Sequence, residues 1–241
     1  MKNTLKYTFL SAMFLGFVAC DVDNTLPEIK DLDENTTTLN AGSVDFSKYV
    51  AIGASFTAGF TDNALFIAAQ ENSFPNTMAK KFAMANGGAF NQPLMADNIG
   101  GFLFGGQQDP NGRFGPRLFF NGSSPTSLSV LGAVPTTEAT TQLTGDYNNY
   151  GIPGAQSTHF IFDGYAAFNP YFGRIASASN ATIIGDAVSK SPTFFSLSEF
   201  GGNDVLGYAI SGGDGTSPIT PTASFDFALG NSFDHEVGRY A

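Results

Sequence analysis

Two strand candidates that end in glycine restrict the folds open to this chain more than any other feature. Lys48-Tyr49-Val50-Ala51-Ile52-Gly53 is short, apolar and β-branched without polar alternation, the pattern of a strand buried on both faces. Ser191 to Phe200 is a second strand candidate, and it stops at Gly201-Gly202. Tyr147 to Tyr150 leads into Gly151-Ile152-Pro153-Gly154-Ala155 as another strand-to-loop passage. Strands that leave through Gly loops into helices predict a parallel sheet with helices on both faces, an α/β domain of three layers, α/β/α. One helix is expected from about Phe74 to Asn86, with Ser73 near its cap, Pro75 near its first position and Gly87-Gly88 as its stop. Another is expected from about Asp204 to Ile210, with Asn203 or Asp204 near its cap.

Residues from about 97 to 145 have a different texture. Gly100-Gly101, Gly105-Gly106, Asp109-Pro110-Asn111-Gly112 and Ser123-Ser124-Pro125 are dense turn signals separating short apolar pieces. This stretch reads as a Gly-rich insertion of hairpins on the edge of the scaffold. No internal repeat is visible.

The N-terminus is organised for export. Met1 to Lys6 is a short basic start, Tyr7 to Val18 an apolar run, and Ala19-Cys20 follows. The run is about half the ~20 residues that a spanning helix needs. Leu15-Gly16-Phe17-Val18-Ala19-Cys20 resembles a bacterial lipobox, with Phe17 where Leu is usual, and the acidic Asp21-Val22-Asp23 resembles surface-export signals of Bacteroidota lipoproteins. The resemblance implies a signal peptide over 1–19, a lipidated Cys20 and a membrane anchor at the outer membrane or cell surface. Residues 20–44 read as a polar tether and 45–241 as the folded domain. A plain signal peptide with an incidental Cys is the alternative.

Composition limits the partners. Eleven Lys and Arg against 21 Asp and Glu give a net charge of −10, which opposes nucleic-acid binding. A single Cys permits no intramolecular disulfide and no thiolate zinc cluster. No metal-ligand cluster or cofactor motif is present in the sequence, so none is expected. The 25 Phe are expected to be mostly core.

In a parallel sheet, chemistry belongs at the carboxyl ends of the strands. Gly53-Ala54-Ser55-Phe56-Thr57-Ala58-Gly59 puts a hydroxyl there, with N–H groups at the following helix start available to a developing oxyanion. Gly201-Gly202-Asn203-Asp204 puts a side-chain amide at the end of the late strand. The first segment resembles the opening block of SGNH/GDSL hydrolases, usually Gly-Asp-Ser-Leu/Phe-Thr-Ala-Gly, with Ala54 replacing Asp. Asn149-Tyr150-Gly151-Ile152-Pro153-Gly154-Ala155 resembles the second block, and Gly201-Gly202-Asn203-Asp204 the third. The three stand in family order over residues 49 to about 210. The resemblance implies an SGNH/flavodoxin-like fold in which Ser55 attacks an ester. The Ser55 N–H, Gly154 N–H and Asn203 side chain would form the oxyanion hole.

The general base is the departure. The family supplies it as Asp-x-x-His near the C-terminus, whereas here Ser232 stands three residues before His235 and Gln156 three before His159. His235, beside Asp234, is kept as the candidate base; His159 follows the second block too closely. Only the 37 residues Val205–Ala241 follow the third block, so the family's last strands and closing helix are expected to be missing. Three readings follow: a surface esterase or lipase-like enzyme acting on acylated glycans or lipids, inactive if the base is lost; a non-catalytic surface lipoprotein binding glycan or lipid; or a fragment with no stable fold.

Overall fold

The computed structural model describes residues 39–210 and Gly212. All lie in the compact unit Thr38–Ala241. The expected signal peptide, Cys20, most of the expected tether, Asp234 and His235 lie outside the described residues.

The first strand, β1 (Tyr49–Gly53), is buried along its whole length. It leads through Ala54 into a single helical turn, α1 (Ser55–Ala58), then α2 (Ile67–Glu71) and α3 (Phe74–Ala83). Two small antiparallel hairpins follow, β2 (Leu103–Phe104) with β3 (Gln107–Gln108) and β4 (Leu118–Phe120) with β5 (Pro125–Ser127). The chain returns to the sheet with β6 (Asn149–Gly151), passes through α4 (Pro170–Gly173) and α5 (Ile183–Ser189), and re-enters it as β7 (Phe194–Leu197) before α6 (Gly202–Ile210). The architecture is mixed α/β around a three-stranded parallel sheet of order β6-β1-β7.

β1 is the central strand, and its alternating side chains are buried on both faces. Val50 and Ile52 enter the main core with Phe160, Phe172, Ile183 and Ala187. Tyr49 and Ala51 enter a second cluster with Ala79, against which Met78, Phe82 and Phe194 pack. Helices α5 and α3 therefore cover opposite faces of one strand, which is why its sequence shows no polar alternation. The expectation of mostly core phenylalanines holds only in part: among the described residues Phe66, Phe102, Phe160 and Phe172 are buried, whereas Phe56, Phe120 and Phe195 are exposed. Half-buried rings pack at the rim of the second cluster, where Phe46 stacks on Phe82 at 4.1 Å and Phe82 meets Phe194 edge-on at 5.2 Å.

Local details depart from the sequence reading. The expected helix over Phe74–Asn86 ends at Ala83, because Asn86 takes a positive φ of 62° and the chain turns there. Ser73 occupies the cap position, but its hydroxyl donates to Gln92 Oε1 at 3.1 Å instead of capping. The late strand is shorter than Ser191–Phe200: Ser191 and Glu199, with φ of 51° and 56°, break the extended backbone at either side. The Gly-rich insertion does form hairpins, yet it is more than an edge decoration. Phe102 is fully buried in the main core against Tyr171, with ring centroids 4.9 Å apart. Among the described residues no helix is long and apolar enough to cross a membrane.

Candidate active site

The three motif segments all leave the sheet at the same edge. Gly53 is in register with Gly151, and Ile52 with Leu197, so the parallel strands present Ser55, Gly154 and the Gly201–Asp204 turn from their carboxyl ends. The chain runs from β1 to β6 on one side and then to β7 on the other. Loops from the two flanks of β1 diverge at such a reversal, and this is where a crevice forms in an open α/β sheet.

The Ser55 turn sits directly on the strands, and glycine makes this possible. A Cβ on Gly151 would lie 2.2 Å from the Ala58 nitrogen and 2.5 Å from the Thr57 carbonyl carbon, both backbone atoms. A Cβ on Gly53 would meet Thr57 Oγ1 at 2.1 Å and the Ser198 carbonyl oxygen at 2.6 Å. Asn149 fastens the same contact: its Nδ2 donates to the Thr57 carbonyl at 2.9 Å, and its Oδ1 accepts from the Gly151 N–H at 2.9 Å. Ser55 itself is half-buried, and neither its hydroxyl nor its N–H has a hydrogen-bond partner among the described residues. Phe56, next along, is 70% exposed at the rim.

One expectation about this turn is corrected. The N–H groups at the start of the helix are not all open to an oxyanion, because Glu199 takes two of them. Its Oε1 accepts from the Phe56 N–H at 2.9 Å, and its Oε2 from the Thr57 N–H at 2.9 Å and from Thr57 Oγ1 at 3.2 Å. Ala54, at the cap position, has no side-chain oxygen to offer. Glu199 was not singled out from the sequence. The available signal was a carboxylate directly after a strand, paired with a cap residue that cannot cap.

Gly154 has a φ of 80°, and a Cβ built there would touch nothing within 4 Å, so this backbone faces open space. Asn203 is tied to that loop: its Nδ2 donates to the Ala155 carbonyl at 2.8 Å. Asp204 is no helix cap. It is buried and grips the second segment, accepting from the Ser157 N–H at 2.8 Å and from Ser157 Oγ at 2.7 Å. Asn203 likewise lies inside the first turn of α6, which begins at Gly202. The Ile152 N–H donates to the Gly53 carbonyl at 2.9 Å and the Ser198 N–H to the Ile52 carbonyl at 3.0 Å, closing a ring of contacts among the three segments.

His159 is held apart from this chemistry. Its Nδ1 accepts from the Gln156 N–H at 3.0 Å, its ring stacks on Tyr165 at 4.3 Å, and its buried Nε2 has no hydrogen-bond partner among the described residues. Burial lowers the imidazole to about 4, with the Asp204 carboxylate pulling weakly the other way. It is a neutral structural histidine.

Comparison with family models, with curated proteins and with solved structures returns no match.

Proposed function

We propose that this domain is a serine-nucleophile ester hydrolase of the SGNH/GDSL type, built on a three-layer α/β/α scaffold and displayed at the cell surface from a lipid on Cys20. The observation that carries the reading is the convergence of Ser55, Gly154 and Asn203 on one edge of three adjacent parallel strands, with Asn203 fastened to the Gly154 loop. Open space at Gly154 and an unengaged Ser55 hydroxyl and N–H leave room for a carbonyl.

In this reading the Ser55 Oγ adds to the ester carbonyl carbon while a base takes its proton. His235 beside Asp234 is the candidate base. The Ser55 N–H, the Gly154 N–H and the Asn203 amide receive the charge on the carbonyl oxygen. The C–O bond to the alcohol then breaks, and the alcohol leaves with the proton. Water, deprotonated by the same base, releases the carboxylic acid and restores the serine. Esters on acylated glycans or lipids are the substrate class for a protein anchored at the surface.

The test is hydrolysis of p-nitrophenyl butyrate by the purified chain and by Ser55→Ala. Turnover that disappears in the variant supports the enzyme. Equal rates in both sink it.

One observation favours a second reading, a ligand-binding lipoprotein: among the described residues no imidazole reaches the Ser55 turn, since His159 is buried on other partners. Glycan or lipid binding that survives Ser55→Ala, with no ester turnover in either protein, would decide for it.

A further inference from the structure

We infer that Glu199 is the positioning residue of the Ser55 turn, supplying from the end of the neighbouring strand β7 the carboxylate that the opening segment lacks at Ala54. This rests on the hydrolase reading for its catalytic consequence, but the clamp stands on its own geometry. A helical turn of four residues retains few internal hydrogen bonds, and its leading N–H groups need acceptors. Ala54 supplies none. Glu199 supplies two, one oxygen on Phe56 N–H and the other on Thr57 N–H, with Thr57 Oγ1 sharing the second.

The backbone of Glu199 does a further job. Its carbonyl accepts from the Gly202 N–H at 3.0 Å, at the start of the helix that carries Asn203. One residue thus grips the nucleophile turn with its side chain and the Asn203 turn with its main chain. The residue also holds a φ of 56°, a region in which a side chain other than glycine is uncommon, and such strain is retained where the surroundings enforce it. By occupying Phe56 and Thr57, Glu199 leaves the Ser55 N–H as the one donor at the start of this turn without a partner among the described residues, open to a carbonyl oxygen. Glu199 therefore sets both the tilt of Ser55 and which of its neighbours' donors can act.

The experiment uses the full chain, a fluorophosphonate probe and amide hydrogen exchange. In Glu199→Gln the maximal rate of Ser55 labelling should fall about 10–100-fold, while the half-saturating probe concentration stays within about twofold, because misplacement by around 1 Å acts on reaction and not on binding. Exchange protection of the Phe56 and Thr57 amides should fall at least about tenfold in Glu199→Ala, with the β1 amides unchanged. Asp97→Asn is the control for a purely structural carboxylate. Asp97 accepts from Ile99 and Gly100 N–H groups away from the turn, so its loss should lower stability and leave labelling unaltered. Unchanged labelling in a folded Glu199→Gln, or unchanged protection in Glu199→Ala, overturns the proposal. If the unsubstituted chain is not labelled at Ser55, the hydrolase reading fails, and the exchange measurement still decides whether Glu199 holds the turn.

Discussion

Replacing Gly151 by Ala adds a single methyl group at the point where the Ser55 turn rests on the sheet. That carbon would stand 2.2 Å from the Ala58 nitrogen and 2.5 Å from the Thr57 carbonyl carbon. Both are backbone atoms, so no rotamer change relieves the contact. Restoring ordinary van der Waals separation requires the turn and the strand to part by about 1.3–1.8 Å. Overpacking of this kind costs about 1–3 kcal/mol. For a domain of this size that corresponds to a fall in Tm of about 2–12 °C. The displacement also moves Ser55 relative to Gly154 and Asn203, so fluorophosphonate labelling should slow by about 10²-fold. Gly154→Ala is the comparison: its φ of 80° strains any side chain, by about 1–2 kcal/mol, but the new methyl meets nothing within 4 Å. Differential scanning fluorimetry and labelling kinetics on both variants check the reasoning. A Gly151→Ala protein with unchanged Tm and unchanged labelling would refute the close seating of the turn on β6.

Asn203→Ala should slow labelling by about 10²–10³-fold through loss of the proposed oxyanion donor, and lower stability by about 1 kcal/mol through loss of the bond to Ala155; a stability loss with full labelling would mean that Asn203 only braces the loop. His159 is pushed down to about 4 in the fold, against about 6.5 when exposed. Between those values the unfolded chain binds the extra proton, so stability present above pH 6.5 is lost as pH falls towards 4, by about 3 kcal/mol. Urea melts at pH 7 and pH 4.5 measure this, and His159→Asn, which keeps an acceptor for the Gln156 N–H, should flatten the dependence while lowering stability at pH 7.

The parts of the fold that are readable from sequence are those in which one short run carries both a period and a stop. β1 is readable because Tyr49–Ile52 is uniformly apolar and Gly53 ends it, and both properties follow from burial on two faces beneath a closely seated turn. Ser55 and Gly154 follow strands buried along their length, whereas Asn203 follows β7, whose Phe195 and Leu197 are exposed, and there only the closing Gly201-Gly202 marks the strand end. What is not readable depends on partners distant in sequence. Phe102 looks like part of a loop insertion because its neighbours are turn formers, yet its ring fills the core against Tyr171. Asp204 has the sequence context of a helix cap, but its carboxylate belongs to Ser157, 47 residues earlier. Glu199 is the clearest case: its role is set by Phe56 and Thr57, more than 140 residues away, and no local spacing announces that contact.

Whether Ser55 is a nucleophile is decided by covalent labelling. The full chain is treated with a fluorophosphonate and the modified peptide is identified by mass spectrometry. One adduct is expected, on Ser55, absent in Ser55→Ala and slowed in Asn203→Ala. A folded chain that stays unlabelled, or that carries the adduct on another residue, would contradict it.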